Sequence, residues 1–239
     1  VVIRETDTVD AEYVYAMLAR CMPDKMPLAD RIRWIEPAWF CLGIPLMALW
    51  IWWWRGSRAG GWCAAGYYAV ALSSVIRSTG QEVSHENFTL PLLMAHLAAE
   101  AFSEDATRSA RARAVAAFAG AVLLALALVT WDLIQFYVGM WMVVSAIRFF
   151  HAVCKGETSL DRRWLLQFAV LLVAGAVNPY LRAHGFLAGP VMALGYGMLL
   201  LSAVRRFTSS GPVSPVWNRA SVSLGLMLLV PVAVMVLPG

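Results

Sequence analysis

The sequence predicts an all-α, polytopic helical membrane protein, and three observations predict it. Apolar residues make up 60% of the 239-residue chain and charged residues only 14%, where a soluble domain carries about a quarter charged. Those few charges gather between long apolar runs, the pattern of a chain that crosses a bilayer repeatedly. The longest run, Ala114 to Ile147, holds thirty-four residues without one Lys, Arg, Glu or His. One crossing needs about 20 residues at about 1.5 Å each. The run is therefore either one overlong helix or two helices folded back at Asp132.

Composition also bounds the function. The net charge of +4 comes from basic loops beside apolar runs, which points to an anionic lipid face and away from nucleic acid. Cys21, Cys41, Cys63 and Cys154 form no C-x-x-C pair and offer no zinc or disulfide framework. They read as small apolar fillers.

Taken in order, residues 1–36 are expected to form a cytoplasmic amphipathic segment, and residues 37–239 one transmembrane helical domain. The first stretch opens acidic (Glu5, Asp7, Asp10, Glu12) and shows no secretory signal. Ala11 to Arg20 predicts a short helix with Tyr13, Met17 and Leu18 on one face. Met26 to Ile35 alternates apolar and basic residues, as suits a helix in the membrane surface with Arg31 and Arg33 toward phosphates and Trp34 at headgroup depth. A docking face for the chain's own loops is the alternative.

The first crossing is Pro37 to Trp54, kinked at Pro45, and its end Trp50-Ile51-Trp52-Trp53-Trp54-Arg55 is an aromatic belt with a basic anchor. A tight loop leads to the second crossing, Ala59 to Ile76, where Gly60, Gly61 and Gly66 permit close helix approach. Residues 78–113 interrupt the crossings. Within them Phe88 to Phe102, with Pro91, His96 and Glu100, predicts a cytoplasmic interfacial or re-entrant amphipathic helix.

Charge then chooses between the two readings of the long run. With a hairpin at Asp132 there are seven crossings, the third and fourth being Ala114 to Trp131 and Leu133 to Phe150. The later ones are Trp164 to Val177, Ala188 to Val204 and Val222 to Leu237. With the N-terminus in the cytoplasm, every Lys and Arg except Arg55, Arg58 and Arg182 then lies inside, sixteen of the nineteen. A single helix would split them ten to nine. Orientation follows the Lys/Arg excess, so the hairpin is preferred and six crossings is the second choice. Thr158-Ser-Leu-Asp161 reads as a capping box before the fifth crossing. Gly185 and Gly189 have the spacing of a packing motif, and 208–221 is a Ser, Pro and Gly-rich loop.

No Asp, Glu, Lys or Arg lies in the middle of a predicted crossing, which weakens a proton-coupled transporter or a channel for charged ions. The sharpest candidate site is a cytoplasmic-side group. His96 and Glu100 share a helix face, His85 and Glu86 lie just before, and His151 is predicted at the same membrane face. His85, His96, Glu100 and His151 are the candidate metal ligands, for zinc or non-haem iron, with Glu100 an alternative base; two of the histidines would suit a haem. No H-E-x-x-H, Walker loop or G-x-S-x-G is present.

Three functions follow. The first is a non-enzymatic membrane subunit of a larger assembly of the secretion or transfer type, with the lipid bilayer and other membrane proteins as partners. The second is a transporter or channel for a neutral or lipidic solute. The third is a metal- or haem-dependent membrane enzyme. The compact loops suit a bacterial inner membrane.

Overall fold

The computed structural model describes residues 11–22, 26–71, 85–155, 159–208 and 220–236. Among these every regular element is helical. Three helices are long and apolar enough to cross a membrane, Leu28–Arg55, Ala110–Thr130 and Ile134–Cys154. Seven were expected. The helices over the second, fifth, sixth and seventh expected crossings have 13, 16, 19 and 17 described residues, and they are too short or too polar to meet the same standard. The second crossing's last residues, Ser73 and Ser74 among them, lie outside the described residues, as do Thr158 and most of the 208–221 loop.

The long central run is two helices. One ends at Thr130 and the next starts at Ile134, with exposed Asp132 between them. Trp131 breaks the first helix by taking an extended conformation (φ −145°, ψ 119°). The single overlong helix is thereby excluded. The chain divides at this point into two compact units, Val1–Asp132 and Leu133–Gly239.

The first unit contains α1 (Ala11–Arg20), α2 (Leu28–Cys41), α3 (Gly43–Arg55), α4 (Arg58–Val70), α5 (His85–Glu104) and α6 (Ala110–Thr130). In α1 it is Tyr15 and Ala19 that are fully buried, while Met17 is exposed. Arg31 of α2 does not reach for phosphate as expected. Its guanidinium donates to the carbonyls of Met26 and Ala19 and ties α1 to α2. Arg33 and Trp34 do remain exposed. The break between α2 and α3 at Leu42 follows from Pro45, which has no N–H for the carbonyl of Cys41.

A left-handed Gly56 (φ 66°) and the Ser57 cap, which accepts from Gly60 N, turn the chain into α4. α4 runs antiparallel to α3. A Cβ on Gly61 would lie 2.6 Å from the Ala48 carbonyl oxygen, so only glycine permits this approach. Gly66 has nothing within 4 Å and plays no such part.

The 20-residue α5 is longer at both ends than the expected Phe88 to Phe102 helix. Near its start, Asn87 and Phe88 bond to Glu36 and Trp39 of α2. Near its end, Phe102 packs edge-on against Trp53 of α3. α5 therefore runs parallel to α2 and α3 along most of their joint length, and Asp105–Ser109 returns the chain into antiparallel α6. Asp105 organises this link: the hydroxyl and amide of Thr107, with Arg108, hold its carboxyl below the usual range. Arg108, Arg111 and Arg113 consequently lie at the Arg55 and Arg58 end of the unit. The charge count that set the N-terminus in the cytoplasm put them at the opposite end, and it no longer fixes the orientation.

The second unit contains α7 (Ile134–Cys154), α8 (Arg162–Val177), α9 (Pro179–Ala183), a 3-10 turn (Phe186–Ala188), α10 (Pro190–Thr208) and α11 (Ala220–Val236). Asp161 itself caps α8, accepting from Arg163 N. Burial raises the Asp161 carboxyl, but the Arg163 donors outweigh it and the net direction is down. Asn178 ends α8 and caps α9. Trp141, Trp164 and Phe168 stack in series. Gly185 and Gly189 are not a helix-packing pair: Gly185 is a left-handed turn residue (φ 65°) and Gly189 closes the 3-10 turn. The close approaches fall about two turns later, where a Cβ on Gly195 would strike Phe168 and one on Gly197 the Met227 carbonyl. All four cysteines are free and exposed, so they lie on outward faces and do not fill the core as expected.

Candidate functional site

α5 carries the polar residues of the first unit inward on two faces. On the face toward α6, His96 has no exposed surface, and its Nδ1 lies 2.9 Å from the Gly120 carbonyl oxygen. A carbonyl only accepts, so Nδ1 carries the proton. Glu100 is half-buried one turn further on. A Cβ on Gly120 would stand 3.4 Å from Glu100 Oε1 and 3.6 Å from His96 Nδ1. Both side chains therefore share the space that this glycine leaves.

The other members of the candidate metal group are placed differently. His85 opens α5, eleven residues before His96, about 16 Å along the helix at about 1.5 Å per residue. Ligands of one zinc ion lie about 2 Å from it, so these two histidines do not share one. The Nδ1 atom of His85 is buried without a hydrogen-bond partner among the described residues. His151 is exposed in the last turn of α7, in the second unit. Among the described residues no three His, Cys, Asp or Glu side chains come together as a metal site. Within the first unit His96 and Glu100 are brought together across Gly120, and His85 is not.

On the face toward α1 and α2 lies a residue the sequence reading passed over. Glu36 is the last residue of the expected cytoplasmic amphipathic segment, just before Pro37, where the first crossing was expected to begin. α2 runs through both residues, and Glu36 has no exposed surface. Its Oε1 accepts from Asn87 Nδ2 at 2.8 Å, and its Oε2 is buried with no hydrogen-bond partner among the described residues. Aromatic rings close the surroundings: Trp39 stacks on Phe88 at 5.1 Å and donates its indole N–H to the Phe88 carbonyl, and Tyr15 meets Phe88 edge-on at 5.5 Å. A carboxyl so enclosed is costly to leave unsatisfied. The signal in the sequence was the helical spacing of Ile32, Ile35 and Phe40, which passes through Glu36 unbroken.

Among the described residues of the second unit, Arg205 is the comparable group. Arg205, in the last turn of α10, is 7% exposed and donates to Ser223 Oγ of α11 at 2.9 Å. A cation at a helix C-terminus is favourably placed, and this one fastens α10 to α11. Comparison with known proteins adds no relative: no family model, no curated protein and no solved structure matches the chain.

Proposed function

We propose that this chain is a non-enzymatic integral membrane subunit of a larger assembly, of the secretion or transfer type, in a membrane such as the bacterial inner membrane. The observation that carries the reading is the outward face of α7. Phe136, Met140, Val143 and Ile147 are all exposed there at spacings of four, three and four residues, so they form one continuous stripe. The opposite face, Val138, Met142, Ala146, Phe149 and Val153, is buried. Such a stripe suits knobs-into-holes packing against a helix of another subunit.

Photo-crosslinking residues at Phe136 and Met140 test this. The expected result is one discrete protein adduct at both positions and none at Val115, an exposed apolar residue of the first unit. Lipid adducts alone at all three positions would refute it. The buried Glu36 and Asn87 pair supports a second reading, a transporter or channel. Flux through reconstituted liposomes no faster than through empty ones removes that reading.

A further inference from the structure

One end of the first unit is marked by arginines on aromatic rings. The Arg55 guanidinium lies 4.2 Å from the Trp54 ring centroid, Arg58 4.9 Å from Trp52, and Arg108 4.9 Å from Phe102. Tryptophan and arginine in this combination sit at headgroup depth in a bilayer. At the same end α6 begins against its own electrostatics. Its first turn holds no acid but does hold Arg111 and Arg113, whereas a helix N-terminus is itself a centre of positive potential. The nearby acids are Glu104 and Asp105, and Asp105 is engaged by Thr107 and Arg108. The Arg113 Nε atom is buried with no hydrogen-bond partner among the described residues.

A groove of about 460 Å³ opens from this basic end and is lined by Phe102, Ser109, Arg111, Ala112, Val115 and Ala116. It lies within the usual range of ligand sites, about 300–1,000 Å³. Its polar residues, Ser109 and Arg111, are at the helix start, and its remaining walls are apolar. Ser109 Oγ is occupied in capping, accepting from Ala112 N, which leaves Arg111 as the side chain that faces a ligand's charge. Positive charge at one end and an apolar wall beyond it match an amphiphilic anion. A soluble phosphate would leave the apolar wall unused.

We propose that this groove binds an anionic phospholipid, its phosphate at Arg111 and the first turn of α6, and an acyl chain along Ala112, Val115 and Phe102. The lipid neutralises the arginines gathered at the start of α6 and covers Val115, which is 62% exposed.

The test is native mass spectrometry of the full chain from micelles holding equal phosphatidylglycerol and phosphatidylcholine. Phosphatidylglycerol is expected to be retained in preference. Arg111→Gln is expected to lower its retention about fivefold, the worth of one arginine at an anionic surface. Val115→Trp, which fills the groove from an exposed position, is expected to lower retention of both lipids. Arg206→Gln, an exposed arginine of the second unit, serves as the control and should change nothing. Equal retention of the two lipids, or unchanged retention in both groove variants, would overturn the proposal. So would displacement of phosphatidylglycerol by free glycerol phosphate, which would make this a soluble-phosphate site.

Discussion

A cysteine placed in the link between α5 and α6 measures how deep α5 goes. Twenty residues at about 1.5 Å each give α5 a length of about 30 Å, the thickness of a bilayer's hydrocarbon core. Its start is fixed to Glu36 and its end to Trp53, so it runs beside a candidate span, Leu28–Arg55, over most of that span's length. A helix so held should lie as deep as its neighbour, with its two ends facing opposite sides of the membrane. An interfacial helix would instead keep both ends within about 5–10 Å of one headgroup layer. Ala106 is exposed in the link and takes no part in the Asp105 bonds, so Ala106→Cys leaves the turn intact. Native Cys21, exposed just after α1, reports the other end. Each cysteine is made the sole thiol and treated in intact cells with a membrane-impermeant maleimide. One position should react at once, and the other only after the membrane is opened. Reaction of both from the same side would refute the reasoning and return α5 to the surface.

Two further predictions concern stability in detergent, followed by thermal unfolding. Gly61→Ala should cost about 1–3 kcal/mol, the usual penalty of overpacking, because the Ala48 carbonyl 2.6 Å away is backbone and cannot swing aside; Gly66→Ala, with open space around it, should gain about 0.5–1 kcal/mol from helix propensity, and equal effects would contradict the α3 and α4 packing. Asn87→Ala should cost about 1–3 kcal/mol, the range for leaving a buried acceptor without its partner, with the double variant Glu36→Leu, Asn87→Leu recovering most of the loss. A single variant as stable as the parent chain would show that Glu36 is satisfied elsewhere.

Helix positions were largely legible in the sequence, because their ends are written in local chemistry. Asp161, Asn178-Pro179 and Gly56-Ser57 each act on neighbouring residues and each marks a helix end in the structure, whereas the break beside Asp132 follows from the length of the run and the Lys/Arg count. Partnership was less legible. Whether Arg31 turns to phosphate or to the Ala19 carbonyl depends on where α1 returns, and nothing local to Arg31 records that. The glycine pairs show the same division. Gly185 and Gly189 have the spacing of a packing motif but lie in a turn, while Gly195 and Gly197 make the close approaches because Phe168 and Met227 arrive from other helices. At the candidate site, the His96 and Glu100 pairing followed from helical periodicity. The contribution of Gly120 to that pair did not, since it comes from the opposing helix.

The same limit bears on α5, expected to be an interfacial or re-entrant helix. Its polar residues lower its hydropathy, and a hydropathy sum assumes that every side chain meets lipid. In the folded unit Asn87, Thr89, His96 and Ser103 are all buried. Asn87 turns to Glu36, His96 to the Gly120 carbonyl, and Ser103 to the carbonyl of Glu100. A polar group that finds its partner within the protein contributes little to the cost of crossing, because what lipid penalises is the unmet hydrogen bond. The burial of Glu36 is hidden for the converse reason: one residue before an apolar run looks like surface until its helix is seen to continue through it. Counting residues along the chain misses both effects, because the bilayer responds only to the groups that the fold leaves facing it.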